Sequence, residues 1–321
     1  MSSDTGAIAS GRKVTLVVPG STCNLGPGLD TIGLALNIYT RMTFQILDEG
    51  HTSDSPLISL KGGIARRSQP TDQGNLIYML LSKIWKQDNA LLSRLRISVT
   101  SEIPLGCGLG SSSAAIIGAL WAANVLEDRI PTASTLLAEG CALEGHPETL
   151  AASLYGSVVV CAPSSASDRK IVTQRLDWPE TWHAIAVVPD YTLHTGKLRR
   201  ALPAQVSYPD AIFNLQRVGL MVAAIARADE GAMKEALVDK LHERYREEYV
   251  PALKKLRREL VNAPIIGCVL SGAGSSVIVF AKEKRKAEVI EQLNRWSEKE
   301  DKPHRVLDLQ VAKEGMQEIE L

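Results

Sequence analysis

Runs of alternating apolar and polar residues and runs with helical spacing divide this chain into short strands and longer helices. Residues 13–19 (Lys-Val-Thr-Leu-Val-Val-Pro) are β-branched and apolar and predict a first strand. Residues 20–30 are turn-rich, too polar for a core and too orderly for a linker. Residues 31–37 return to apolar character, and 42–47 alternate like a strand. The polar stretch 51–73, with its glycines and proline, predicts a hairpin and an exposed loop. Helical periodicity covers 75–85 with Asn75 near its start, and residues 95–101 alternate as a strand. Residues 131–143 predict a helix ended by Glu144-Gly145-His146-Pro147, and 156–161 a buried strand.

The polar stretch 162–179, rich in serine and aspartate, places a domain boundary. The division is a flexible tail over 1–12, a first domain over 13–172 and a second over 173–321. In the second half, residues 184–188 predict a strand and 209–226 a helix carrying Asn214 and Arg217. Helical spacing in the charged run 239–246 puts His242 and Arg246 on one face, although such a run is ordinarily a solvated helix face. A strand at 265–270 meets the glycine cluster Ser271-Gly272-Ala273-Gly274-Ser275-Ser276. A strand at 277–281, an amphipathic helix at 282–299 and a closing strand at 306–311 follow. This order predicts an α+β sandwich with helices on one face.

The densest chemistry lies at 103–115, Ile-Pro-Leu-Gly-Cys-Gly-Leu-Gly-Ser-Ser-Ser-Ala-Ala. Gly106, Gly108 and Gly110 let the backbone turn where a Cβ would clash, and Ser111, Ser112 and Ser113 follow as candidate helix caps. A glycine loop feeding a helix N-terminus is a general way to hold phosphate. A plain turn ahead of a core helix leaves a similar trace; the density of glycine and hydroxyl favours the anion site. Neither common phosphate motif is present. Gly196-Lys197 is followed by Leu198, and Tyr191 stands where a P-loop needs its first glycine. The 106–110 spacing is one residue too tight for the dinucleotide fingerprint.

Composition narrows the class. The 321 residues are 45% hydrophobic and 22% charged, as in a globular enzyme. Lys plus Arg and Asp plus Glu are both 36, which argues against nucleic-acid or acidic-membrane partners. No apolar run reaches a membrane span, and 1–12 lacks the apolar core of a signal peptide. Five scattered cysteines without Cys-x-x-Cys spacing fit reduced thiols in a cytoplasm. Asn24 and Asp30 are either turn formers or site residues, and Glu144 and His146 either surface groups or a metal ligand and a substrate contact.

With these residues laid out, the chain resembles the GHMP kinases, and within them the homoserine kinases. Three motifs match in order: Val18-Pro-Gly-Ser-Thr-Cys-Asn-Leu-Gly-Pro-Gly-Leu-Asp30 with Gly33-Leu-Ala-Leu36, the segment 104–115, and Leu270-Ser-Gly-Ala-Gly274. Between them lie Glu144-Gly-His-Pro147, residues 195–199 ahead of Leu202-Pro203, Phe213-Asn-Leu-Gln-Arg217, and His242 with Tyr245-Arg246. The resemblance implies an α+β, two-domain GHMP kinase fold. Its N-terminal domain would be like ribosomal S5 domain 2, and its C-terminal domain a ferredoxin-like α/β sandwich. It implies phosphorylation of the hydroxyl of L-homoserine by ATP with Mg2+, in threonine biosynthesis. A same-fold kinase for another small hydroxy-amino acid or alcohol, and a non-catalytic ligand-binding relative, are the rivals. A small-molecule substrate is the implied partner, with a homodimer left open.

The resemblance also distributes roles. Pro104, Gly106, Gly108, Leu109, Gly110, Ser111, Ser112, Ser113 and Ala114 would embrace the ATP phosphates, with Asn75 and Leu76 on the adenine side. Ser112 (or Ser111) and Glu144 would hold magnesium. Asn24, Asp30, His146, Thr149, Thr195, Arg199, Arg246 and Gly272 would surround the amino acid, with Glu144, Ser112, Asn24 and Thr149 nearest the chemistry. Asp30 can accept from an ammonium, and Arg199 with Arg246 can grip a carboxylate. The catalytic Asp and Lys of mevalonate kinase have no match here, which fits the homoserine kinase branch; phosphoryl transfer asks mainly for positioning and charge neutralisation. The chain departs from the family at Glu148-Thr149 for the usual Asp-Asn, at Leu29 for an aromatic residue, and at Gly274-Ser275-Ser276 for Gly-Pro-Thr. Thr149 lacks an amide that both donates and accepts, so choice of acceptor is where this chain differs.

Overall fold

The computed structural model describes residues 8–51, 56–62, 70–86, 88–193 and 195–320, the side chains of 168, 169 and 195 aside. The first half runs β1 (Lys13–Asn24), β2 (Gly28–Ile46), β3 (Leu57–Gly62), α1 (Leu76–Ile84), α2 (Asn89–Leu92), β4 (Leu95–Ser101), α3 (Ser111–Leu126), α4 (Ala133–Glu144), α5 (Glu148–Tyr155), β5 (Val158–Ser164) and β6 (Ser167–Leu176). The second half runs β7 (Trp182–Val188), α6 (Thr195–Arg200), α7 (Tyr208–Arg227), α8 (Glu230–Ala236), α9 (Glu243–Arg246), α10 (Pro251–Glu259), β8 (Ile265–Leu270), β9 (Val277–Lys282), a 3-10 turn (Glu283–Arg285), α11 (Lys286–Glu298), β10 (Arg305–Leu309) and β11 (Gln317–Glu318).

Two sheets carry the architecture. The larger has the order β11-β1-β2-β4-β3, with the β5–β6 hairpin joined to β2; the smaller has the order β10-β7-β9-β8. Leu16, Val18, Leu34, Leu36, Met42 and Phe44 of β1 and β2 are fully buried, each contributing about 1.5–3 kcal/mol by leaving water. Helix α3 is buried along most of its length because its sequence is apolar on nearly every side. Asn75 caps α1, its Oδ1 accepting from the backbone of Ile77 at 3.0 Å.

Several expectations change. In the segment 51–73 the described strand, β3, pairs in parallel with β4 instead of in a hairpin, and 52–55 and 63–69 lie outside the described residues. The polar stretch after β5 is strand β6, which continues the first sheet to Leu176, so residue 172 falls inside an element. Helices cover both faces of the smaller sheet, because β7 is buried at every residue and needs apolar partners on each side. Ala184 and Ala186 join a cluster with Met221 and Ile225, whereas Ile185 and Val187 join one with Leu253 and Leu293. Of the expected tail, 1–7 lie outside the described residues; Gly11 N–H donates to Ile46 O at 2.8 Å, and Arg12 pairs with Asp128.

After β10 the chain returns to the first sheet, binding the halves together. Val311 bridges Leu36, Ser157 N–H donates to Ala312 O at 2.7 Å, and β11 pairs with β1. The return passes so close to α5 that a Cβ on Gly315 would lie 2.1 Å from Leu154 O. Gly315→Ala is expected to cost roughly 1–3 kcal/mol in urea unfolding. Gly219→Ala on α7, whose Cβ would meet nothing within 4 Å, is expected to stabilise by roughly 0.5–1 kcal/mol. Equal midpoints for the two variants would contradict this packing.

Candidate active site

The loop between β4 and α3 turns through Gly106, Gly108 and Gly110 at φ of +60°, +79° and +76°. Gly110 is the N-cap of α3, and no side chain bonds there, so the first-turn N–H groups stay open to an anion at the positive helix end. The serines therefore do not cap the helix; they occupy its first turn, and Ser112 and Ser113 reach across to α4. Ser112 Oγ donates to Glu144 Oε1 at 2.6 Å and Ser113 Oγ to Glu144 Oε2 at 2.9 Å. Gly145, at φ +88°, ends α4 and leaves Glu144 against the start of α3. Burial raises the Glu144 carboxyl above its ordinary pKa, opposed by the Ser112 hydroxyl and His146. Carboxylate and hydroxyl oxygens at a phosphate site are the hard donor set that magnesium prefers.

The second glycine cluster closes over the first. Ser271 Oγ donates to Gly108 O at 2.7 Å, Ser276 N–H donates to Cys107 O at 3.0 Å, and a Cβ on Gly108 would stand 2.2 Å from Ser271 O. The β1–β2 connection meets the same cluster. Asn24 and Asp30 lie at φ of +72° and +55°, a conformation that short polar side chains tolerate. Asn24 Oδ1 accepts from Asp30 N–H at 3.1 Å, and its Nδ2 donates to Gly272 O at 3.0 Å.

Charge gathers beside this junction. Arg199, from α6, donates through both terminal nitrogens to the Asp30 carboxylate at 2.9 and 2.8 Å, and both side chains are half exposed. Arg246 is 2% exposed; its Nη1 donates to His242 Nδ1 at 3.0 Å and to Gly272 O at 3.3 Å. Its Nε has no partner, and no carboxylate pairs with it among the described residues. Burial lowers its pKa, Arg199 adding to the effect. His146 lies with Nδ1 3.3 Å from Glu148 Oε1 and 3.5 Å from Thr149 Oγ1. Burial pulls the imidazole pKa down, but the Glu148 hydrogen bond and charge prevail and raise it. Thr149 and Glu148 are buried, and Glu148 Oε2 is unpartnered.

The expected set thus falls into three groups. The loop residues 104–114 meet Glu144, and Asn24, Asp30, Arg199, Arg246 and Gly272 share one network, with His146 and Thr149 at the start of α5. Asn75 spends its amide on the α1 cap and on Pro70 O, and Leu76 stands 39% exposed. Thr195 opens α6, its side chain outside the described residues.

Within the charged run 239–246, His242, Glu243 and Arg246 are buried while Lys240 and Arg244 keep a solvated face, and the supporting role of the buried part is not apparent from the sequence. Asp239 Oδ1 accepts from Asn214 Nδ2 at 2.8 Å, while Oδ2 accepts from the N–H groups of His242 and Glu243, each at 2.8 Å. Asn214 also donates to Pro27 O at 3.0 Å, so one carboxylate ties α7 and α9 to the β1–β2 turn. The only local signal was an aspartate, a residue type whose side chain bonds backbone N–H groups a few residues on.

Two models of known families match the chain. The GHMP kinases N terminal domain matches residues 75–157 and the GHMP kinases C terminal domain matches 221–299. The chain belongs to the GHMP kinase family, in its homoserine kinase branch. It is 35% identical over 290 residues to homoserine kinase of Solibacter usitatus, covering 89% of this chain and 92% of that one. It is 32% identical over 308 residues to homoserine kinase of Caldanaerobacter subterraneus, covering 96% of each. The fold matches the crystal structure of homoserine kinase from Cytophaga hutchinsonii with a TM-score of 0.79 at 22% identity, over 96% of this chain and 97% of that one.

The Asp239 hub makes a testable demand. Burial raises its carboxyl, but the hydrogen bonds it accepts from the Asn214 amide and from the backbone N–H groups of Glu243 and His242 outweigh this and hold its pKa low. Its contribution is present at neutral pH and fades as pH falls below about 4, the ordinary carboxylate value. Asp239→Asn is expected to lose roughly 1–3 kcal/mol at pH 7 and to show a shallower loss on acidification. Superimposable stability curves for variant and wild type would remove Asp239 from this role.

Proposed function

We propose that this chain transfers the γ-phosphoryl group of ATP to the side-chain hydroxyl of L-homoserine, giving O-phospho-L-homoserine and ADP. The acceptor oxygen forms the new P–O bond as the bond to the bridging oxygen breaks, and the hydroxyl proton is released. The observation that carries the reading is the meeting of an uncapped helix N-terminus with a carboxylate and two guanidinium groups, Asp30, Arg199 and Arg246. An anion site beside complementary charges for an amino-acid zwitterion is what a hydroxy-amino-acid kinase requires. The relatives named homoserine kinase, aligned over nearly the whole chain, support the same acceptor.

Residues 104–114 would surround the phosphates, and Leu76 would lie on the adenine side. Ser112 and Glu144 would hold magnesium, which supplies charge neutralisation on the transferring phosphoryl group. Asp30 would take the ammonium, Arg199 and Arg246 the carboxylate, and Asn24, Gly272, His146 and Thr149 would frame the hydroxyl arm, with Thr195 at the α6 end. The described residues include no helix long and apolar enough to cross a membrane, and the five cysteines are free thiols, four of them buried. We place the protein in a reducing cytoplasm on that ground.

The test is ADP release with magnesium ATP and L-homoserine, L-serine, L-threonine or no acceptor. Turnover is expected to depend on homoserine well above the others; turnover with another acceptor, or none, would overturn the assignment. Arg199→Ala is expected to raise KM for homoserine roughly 10-fold or more while KM for ATP stays within about twofold. Parallel loss of both would take Arg199 out of the amino-acid site.

A further inference from the structure

Arg246 is oriented by a neutral group where an acid would be the usual partner. A guanidinium only donates, so its 3.0 Å bond to His242 requires a bare Nδ1 on the imidazole. The ring proton then sits on Nε2, which lies 2.7 Å from Gly26 O and donates to it. Both nitrogens of His242 are thereby used, one on the β1–β2 turn and one on Arg246, and the side chain is fully buried. A carboxylate in this place would pair with Arg246 and cancel its charge; a neutral acceptor turns the guanidinium without spending it. Asp239 keeps the ring in place, taking the His242 N–H at 2.8 Å and lying 4.0 Å from Nε2.

We infer that His242 is a positioning residue for acceptor recognition: it aims Arg246 at the carboxylate of the amino-acid substrate and leaves that arginine's charge free for it. This rests on the reading of Arg246 as a carboxylate contact, given above. His242 touches no substrate itself and acts through Arg246 alone.

The experiment compares wild type, His242→Leu, His242→Gln and Arg246→Ala on homoserine and on 3-aminopropanol, which is homoserine without its carboxylate. His242→Leu is expected to raise KM for homoserine roughly 10- to 100-fold, the range for losing an orienting partner. KM for ATP and kcat should stay within about twofold, and the preference for homoserine over 3-aminopropanol should collapse with the homoserine KM. In His242→Gln the amide oxygen accepts and the amide nitrogen donates, so most of the preference should return. If Arg246→Ala keeps the preference, the carboxylate reading fails. If Arg246→Ala abolishes it but His242→Leu does not, the inference about His242 fails. A merely structural histidine predicts that both substrates decline together and that Gln does not rescue. Independently of any variant folding, proton–nitrogen correlation spectra of histidine-labelled wild-type protein should show a buried ring protonated at Nε2 and bare at Nδ1. A proton on Nδ1 of that ring would overturn the inference.

Discussion

Two glycine-containing segments, distant in sequence, meet so closely that Gly108 could carry no side chain at the contact. A Cβ on Gly108 would lie 2.2 Å from Ser271 O and 2.8 Å from Gly274 O. The contact is closed by the Ser271 hydroxyl on Gly108 O and by the Ser276 N–H on Cys107 O at 3.0 Å. The first glycine loop belongs to the first sheet and its helices, whereas Arg246 and Gly272 belong to the second. Their approach puts the proposed anion site and the proposed amino-acid site on one seam. Bringing backbone directly against backbone satisfies buried polar groups that a bulkier contact would leave without partners.

The charges along the seam are arranged so that they remain available. The Asp30–Arg199 pair is half exposed, and such a pair is worth only about 0–1 kcal/mol. Exchanging it for the ammonium and carboxylate of a zwitterion therefore costs little. Arg246 is different: it is buried without an acid, and a desolvated ion of that kind costs several kcal/mol, on the order of what an ionic ligand can recover. The structure tolerates it through His242, Gly272 and the Asp239 network beneath. The exposed pair can open at small cost, while the buried arginine holds fixed geometry.

Much of this was readable from residues alone where local chemistry decides the outcome. Strand β4 spans the predicted 95–101, Asn75 caps α1 as its position suggested, and the glycine loop precedes a helix. What escaped prediction depends on partners far away in sequence. The Gly20–Asp30 stretch reads as a turn, yet β1 continues through it to Asn24 because β2 pairs along its length. Ser112 and Ser113 look like caps but are drawn to Glu144, 32 and 31 residues on. The charged run around His242 reads as solvated surface; the burial of His242, Glu243 and Arg246 within it follows from partners such as the β1–β2 turn, which no local window contains. Departures at Glu148 and Thr149 were visible, but not that Glu148 would be buried with an unpartnered oxygen beside His146.

The measurement that most directly tests this account is a crystal structure with homoserine and a non-hydrolysable ATP analogue in the presence of magnesium. The account predicts that Arg199 leaves Asp30, the substrate ammonium takes its place on Asp30, and the carboxylate meets Arg199 and Arg246, with the phosphates against the first turn of α3. Homoserine bound elsewhere, with the Asp30–Arg199 pair intact and Arg246 still without an anionic partner, would contradict it.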